Sequence, residues 1–188
     1  MRYLLFFLAF SAYAADNSIS IDQIGSYNTV AIAQDGTAHD ATIALGKSGG
    51  VDNTAISITQ QGTGAKSAAV ELTNGINNSV TMFQDGTGNH TAAIQNLNGS
   101  ANNISITQNG AGNHSMTIAG GQGTTNNANT ITTEHTGGSG ADKTFQLNLN
   151  GTTGATVNVQ QTNPTQSNTG NMNIQCSSGC GTWNYIRQ

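Results

Sequence analysis

Side-chain amides recur in this sequence at a spacing that hydrogen bonding can use. Gln60, Gln84 and Gln108 fall 24 residues apart, while Gln23 and Gln34, like Gln84 and Gln95, fall 11 apart. Each closes a short alternating apolar/polar run, as in Asn78–Gln95, NSVTMFQDGTGNHTAAIQ. Written as a pattern this is N-x5-Q-x-G-x2-N-x5-Q: strand, tight Gly-containing turn, strand. Asn17–Gln34 matches throughout, Asn102–Ala119 keeps all but the last Gln, and Asn53–Glu71 is a looser copy. A fixed period of this length signals a solenoid or an array. An amide has two N–H donors and an acceptor oxygen. Stacked on the same residue one coil away, it forms a hydrogen-bonded ladder and also pairs corner backbone, where an unmade buried bond costs about 1–3 kcal/mol. The candidate ladder residues are Gln23, Asn28, Gln34, Gln60, Gln84, Asn89, Gln95, Gln108 and Asn113.

Other chemistry is sparse. His39, His90, His114 and His135 are not joined by Cys or carboxylate at metal-ligand spacing and read as repeat-derived surface histidines, so no metal or cofactor is expected. No nucleophile elbow, P-loop or dinucleotide fingerprint occurs. Glu71 and Glu134 are the only glutamates and fall far apart in any stack, which leaves no carboxylate pair for glycoside chemistry. The sequence reads as non-enzymatic. Cys176 and Cys180, in CSSGC, read as a disulfide in a secreted chain. A metal or redox thiol pair and attachment to another chain are the alternatives.

Several elements must position these residues. Period-2 alternation bounded by Gly, Asn and Asp predicts thirteen strands: Ser18–Gln23, Thr29–Gln34, Asp40–Leu45, Thr54–Gln60, Ser67–Leu72, Asn78–Gln84, His90–Gln95, Asn103–Gln108, His114–Ala119, Asn129–Glu134, Thr144–Leu149, Ala155–Gln160 and Asn171–Gln175. At two strands per coil and roughly 4.8 Å per coil they form a β-solenoid of six to seven coils, about 30 Å long. Ile19, Ile21, Ile56, Ile58, Val80, Met82, Ile104 and Ile106 share the parity of their closing Gln and are predicted to point inward. The second strand of each unit is ambiguous, because Val30 and Ile32 have that parity while Ala92, Ile94, Met116 and Ile118 have the other.

Composition and termini bound the rest. Charged residues make up only 7% of the chain, against about a quarter in ordinary globular proteins. Arg2, the apolar run Tyr3–Phe10 and Ala12-Tyr13-Ala14 read as a secretory signal peptide over residues 1–14. Without it, four basic residues face nine acidic ones, a net charge near −5, with no basic patch for nucleic acid. Residues 15–175 form the repeat domain and 176–188 a Cys-containing tail that belongs to no repeat.

The pattern Gln23, Gly25, Asn28, Gln34, repeated at Gln84, Gly86, Asn89, Gln95, resembles the curlin repeat of curli fibre subunits. Asn17, Asn78 and Asn102 stand where that family usually has Ser. The resemblance implies a secreted Gram-negative β-solenoid that polymerises into cross-β surface fibres for biofilm matrix, adhesion and aggregation. It also implies a second subunit or nucleator, an outer-membrane secretion pore and accessory factors. A monomeric ice- or glycan-binding solenoid and a surface or phage adhesin are the alternatives. An ice-binding face would need regular T-x-T ladders, and Thr130 with Thr132 is an isolated pair.

Overall fold

The computed structural model describes residues 5–8, 16–46, 50–72, 75–95, 98–120 and 125–188. The expected cleavage site at Ala12–Ala14 lies outside them. The strands, in chain order, are β1 (Leu5–Leu8), β2 (Ser18–Gln23), β3 (Thr29–Gly36), β4 (His39–Leu45), β5 (Val51–Asp52), β6 (Ala55–Gly62), β7 (Lys66–Leu72), β8 (Gly75–Ile76), β9 (Ser79–Asp85), β10 (His90–Ile94), β11 (Asn103–Gly110), β12 (His114–Gly120), β13 (Thr130–Gly137), β14 (Lys143–Leu149), β15 (Ala155–Gln161), β16 (Asn168–Ile174) and β17 (Gly181–Arg187). No described residue is helical.

The long strands alternate between two parallel sheets, which makes the chain a β-solenoid. One sheet runs β1-β3-β6-β9-β11-β13-β15-β17 and the other β2-β4-β7-β10-β12-β14-β16. Each level contributes one strand to each sheet, from β2 and β3 at the first to β16 and β17 at the seventh. Alternation puts one residue in two between the sheets, where Val80, Met82, Ile104, Ile106, Ala92, Ile94, Met116 and Ile118 form one buried core. The predicted inward parity holds for β6, β9 and β11, and Ile19 and Ile21 of β2 pack partly buried against the core end. The ambiguity of the second strand resolves by sheet. Val30 and Ile32 lie in β3, over Ile56 and Ile58, whereas β10 and β12 belong to the other sheet, whose inward parity is set by His90 and His114.

Two sequence expectations are corrected here. The tail is not outside the fold, since Gly181–Arg187 pairs along its whole length with β15 and supplies a fourteenth long strand. Its inward positions hold Trp183, Tyr185 and Arg187 instead of Ile, Val and Gln, which hid it from the repeat pattern. The units are also in a different phase. Ser18–Gln23 and Ser79–Asp85, read as equivalent first strands, lie in opposite sheets. Both halves of the repeat have the form N-x5-Q, so motif matching cannot say which half comes first.

Glycine permits the tight corners. Gly36, Gly62, Gly86 and Gly110, each at positive φ, turn their α-carbons to the carbonyl oxygens of Gly62, Gly86, Gly110 and Gly137 one level on. A Cβ there would collide with backbone that cannot move without shifting a whole level. Gly86→Ala is therefore expected to destabilise the fold by more than about 2 kcal/mol, from positive-φ strain plus overlap. Gly140→Ala, whose Cβ would meet nothing within 4 Å, should cost only the strain. Chemical denaturation of both variants checks the difference.

Candidate assembly site: interior ladders and open ends

The Gln column lies at the last inward position of the eight-stranded sheet before a corner. Gln34 Nε2 donates to Gln60 Oε1 at 2.8 Å, Gln60 Nε2 to Gln84 Oε1 at 2.9 Å, and Gln84 Nε2 to Gln108 Oε1 at 2.8 Å. Each amide spends its second N–H across the core on the start of the facing strand: Gln34 on Ser18 O, Gln60 on Asp40 O, Gln84 on Ser67 O and Gln108 on Thr91 O. A primary amide is suited to this, having the donors to do both and an oxygen to receive.

Gln23 and Gln95 take no part in this column. Gln23 is in the other sheet, in register with Leu45, with its Oε1 buried and unpaired. Gln95 is exposed, because Ala92 and Ile94 take the inward parity of β10 and turn the next residue outward. The expectation of an inward amide is corrected at Gln95, whereas Gln23 does point inward but lies outside the ladder.

Asparagines divide between the two kinds of corner. Asn28 is buried, donates to Val51 O at 2.6 Å and accepts from Thr54 N at 2.9 Å. Its column continues through Asn78, Asn102 and Asn129, all buried. Asn102 N donates to Asn78 Oδ1, Asn129 N to Asn102 Oδ1 and Ala155 N to Asn129 Oδ1. Asn89 and Asn113 line the opposite corner and are exposed. There Ala65 N donates to Asn89 Oδ1, Asn89 N to Asn113 Oδ1, and Asn113 N to Asp142 Oδ1. The repeat analysis missed Asn129 and gave Asn78 and Asn102 only as motif positions. Their recurrence one residue before a strand was the available signal.

The histidines are interior, which overturns the surface reading. His39, Lys66, His90, His114 and Lys143 stack in one column at the first inward position of the seven-stranded sheet, each 1% exposed or less. The signal lay in the spacing, since Lys66, His90 and His114 are 24 apart and so share a phase of the repeat. Lys66 Nζ donates to Gly64 O, Gly86 O and Gly88 O at 2.8–2.9 Å, and Lys143 Nζ to Asn163 O and Gln166 O. These amines bind corner carbonyls that bend away from the sheet ladder. His39, His90 and His114 do the same with Nε2, on Asp35 O, Asp85 O and Asn109 O. A carbonyl partner requires Nε2–H, and with burial lowering the pKa of all three rings the neutral form with Nδ1 unprotonated is favoured; those Nδ1 atoms are buried without partners. The rings of His90 and His114 stack at 4.8 Å. Among the described residues no group of three or more His, Cys, Asp or Glu could hold a metal ion.

His135 interrupts the Gln column. It stands in register between Gln108 and Gln161. Both its ring nitrogens are buried and unpaired, as is Gln161 Oε1. At the seventh level the column ends in Arg187. Tyr185 lies over Gly170 and packs on Phe145 at 4.7 Å, so the core end is closed by a ring for which Gly170 leaves room. Cys176 and Cys180 form a disulfide, with Cα atoms 5.6 Å apart, and Trp183 Nε1 donates to Cys180 O at 2.8 Å. Intact-mass analysis of unreduced protein should show the loss of two hydrogens, and two free thiols would contradict the bridge.

With this geometry in place, comparison with known proteins is specific at one place. The family model described as the curlin associated repeat matches residues 14–44. Over those residues the chain is similar to the curlin repeat. The matched span holds β2, β3 and most of β4, the first level and the start of the second. No curated protein and no solved structure matches the chain.

Burial pushes the imidazoles below their ordinary 6.5, His90 to about 4 and His135 to about 3, with the charge of Lys66 and the neighbouring His114 lowering His90 further. The unfolded chain therefore takes up protons as pH falls below about 6.5, while in the folded chain His90 does not until about 4 and His135 until about 3. Stability is complete above that range and declines through it. Denaturation midpoints are expected to fall steadily from pH 7 to pH 4. His135→Gln should raise the midpoint at pH 7 by re-pairing Gln161 Oε1, about 1–3 kcal/mol, and should weaken the pH dependence. A flat pH profile would contradict the buried neutral column.

Proposed function

We propose that this chain is a structural subunit of an extracellular, curli-like amyloid fibre on a Gram-negative cell, serving biofilm matrix, adhesion and aggregation. The observation that carries this reading is the open edges at both ends of an in-register parallel stack. β2 and β16 terminate one sheet and β17 the other, and each offers a row of backbone donors and acceptors to a further strand. A second copy placed in register extends the interior columns as well as the backbone ladder, which is how cross-β fibres gain cooperativity. The curlin repeat over residues 14–44 supports the same reading.

In this account residues 1–14 are a leader removed on secretion, and the mature chain starts near Ala15 or Asp16. Its partners are other copies, a second subunit or nucleator, an outer-membrane pore and accessory factors. Purified protein should form thioflavin-positive fibres with a meridional spacing of about 4.7–4.8 Å. Gln34→Ala, at the terminal level, should slow seeded growth while leaving the monomer folded. Gln84→Ala, bonded on both sides within the monomer, should instead lower stability. Protein that stays monomeric for days even when seeded would contradict the fibre.

A further inference from the structure

The two ends of the solenoid differ chemically, and the difference follows from the direction of the Gln ladder. Each Nε2 donates toward the C-terminal end, from Gln34 through Gln60 and Gln84 to Gln108. The column therefore opens, at its N-terminal end, on an acceptor oxygen of Gln34. At its other end stands Arg187, in register with Gln161, a side chain that carries donors only. The opposite corner repeats this polarity. Asn113 N donates to Asp142 Oδ1 and Asp142 N to Ser167 Oγ, which leaves Ser167 N–H as the last donor of the series. Extending the pairing Ser18↔Asp40 back two residues places Asp16, a carboxylate, at the first position of that column.

We propose that β17 of one copy pairs in parallel with β3 of the next, in the one register that sets Arg187 beside Gln34. The guanidinium then donates to Gln34 Oε1, and Ser167 N–H faces the Asp16 carboxylate. This deepens the fibre reading, on which it rests, by fixing the register of the junction and making the fibre polar. Head-to-tail contact joins a donor end to an acceptor end, whereas tail-to-tail contact would run two β17 strands antiparallel and leave Arg187 without the Gln34 acceptor. The same register sets Trp183 beside Val30 and Tyr185 beside Ile32, so aromatic rings meet the apolar columns. The edge of β3 already receives a parallel strand in this structure. Residues Leu5–Leu8 pair there as Leu5↔Thr29 through Leu8↔Ile32, in the slot that Thr182–Tyr185 of an incoming copy fills. Residues 5–8 must leave that edge before a copy can dock.

Cysteine pairs test the register. Ala31 and Asn184 are exposed and become neighbours only across the proposed junction, since within one chain they sit on the first and seventh levels of the column that joins them. Fibres of the double variant Ala31→Cys with Asn184→Cys should cross-link into covalent multimers on oxidation, at the Cα spacing a disulfide needs. Fibres of Ala33→Cys with Asn184→Cys, a two-residue slip on the same face, should not. Fibres that link through position 33, or through neither, overturn the register while leaving the fibre reading intact, and wild-type protein that forms no fibre overturns both. For the donor role, Arg187→Glu should slow seeded elongation about tenfold, the effect of one junction bond lost and an acceptor opposed. Arg187→Gln, which keeps a donor, should stay within about twofold. Equal rates for all three proteins, each verified as folded by circular dichroism, overturn the role of Arg187.

Discussion

Parallel in-register stacking imposes one constraint on which this structure depends: each interior side chain lies against the equivalent residue of the next level. For an apolar column this is easily met, as Ile56, Val80, Ile104 and Ile131 pack on each other in turn. For a polar column the residue must bond to its own kind. A carboxylate cannot, and a row of like charges repels. A primary amide can, since its donor meets the acceptor of the next copy, and its remaining donor ties the column to the facing sheet. The interior of this solenoid is largely the set of columns that satisfy the rule.

The basic column meets the constraint differently. Lys66 and Lys143 alternate with neutral imidazoles instead of stacking on each other, and every member turns its donor onto a corner carbonyl rather than onto its neighbour. Where such a carbonyl is buried, leaving it without a partner would cost about 1–3 kcal/mol. Placing cations and histidines there makes the corner dependent on protonation state, while the primary amides of the Gln and Asn columns do not titrate.

Much of this was legible in the sequence, because spacing in a solenoid maps directly onto stacking. The amide ladder through Gln60, Gln84 and Gln108, the inward Ile and Val positions, and the all-β class all follow from a period of 24. What was not legible has a physical cause in each case. The phase of the first unit was hidden by the near-identity of the two half-repeats. Gln95 was misplaced because outward and inward strand ends carry the same residue type. The histidines were read as surface residues because side-chain polarity outweighed their repeat phase. Gly181–Arg187 escaped notice because its inward positions hold Trp183, Tyr185 and Arg187 in place of the Ile, Val and Gln of the other levels.

The most direct test of the ladder is hydrogen exchange of the side-chain amides themselves, read by NMR on amide-labelled protein. If the columns hold the stack, the Nε2 protons of Gln60, Gln84 and Gln108 should exchange only with global unfolding, while those of exposed Gln95 exchange as in a free peptide. Uniformly fast exchange across all four would contradict the account.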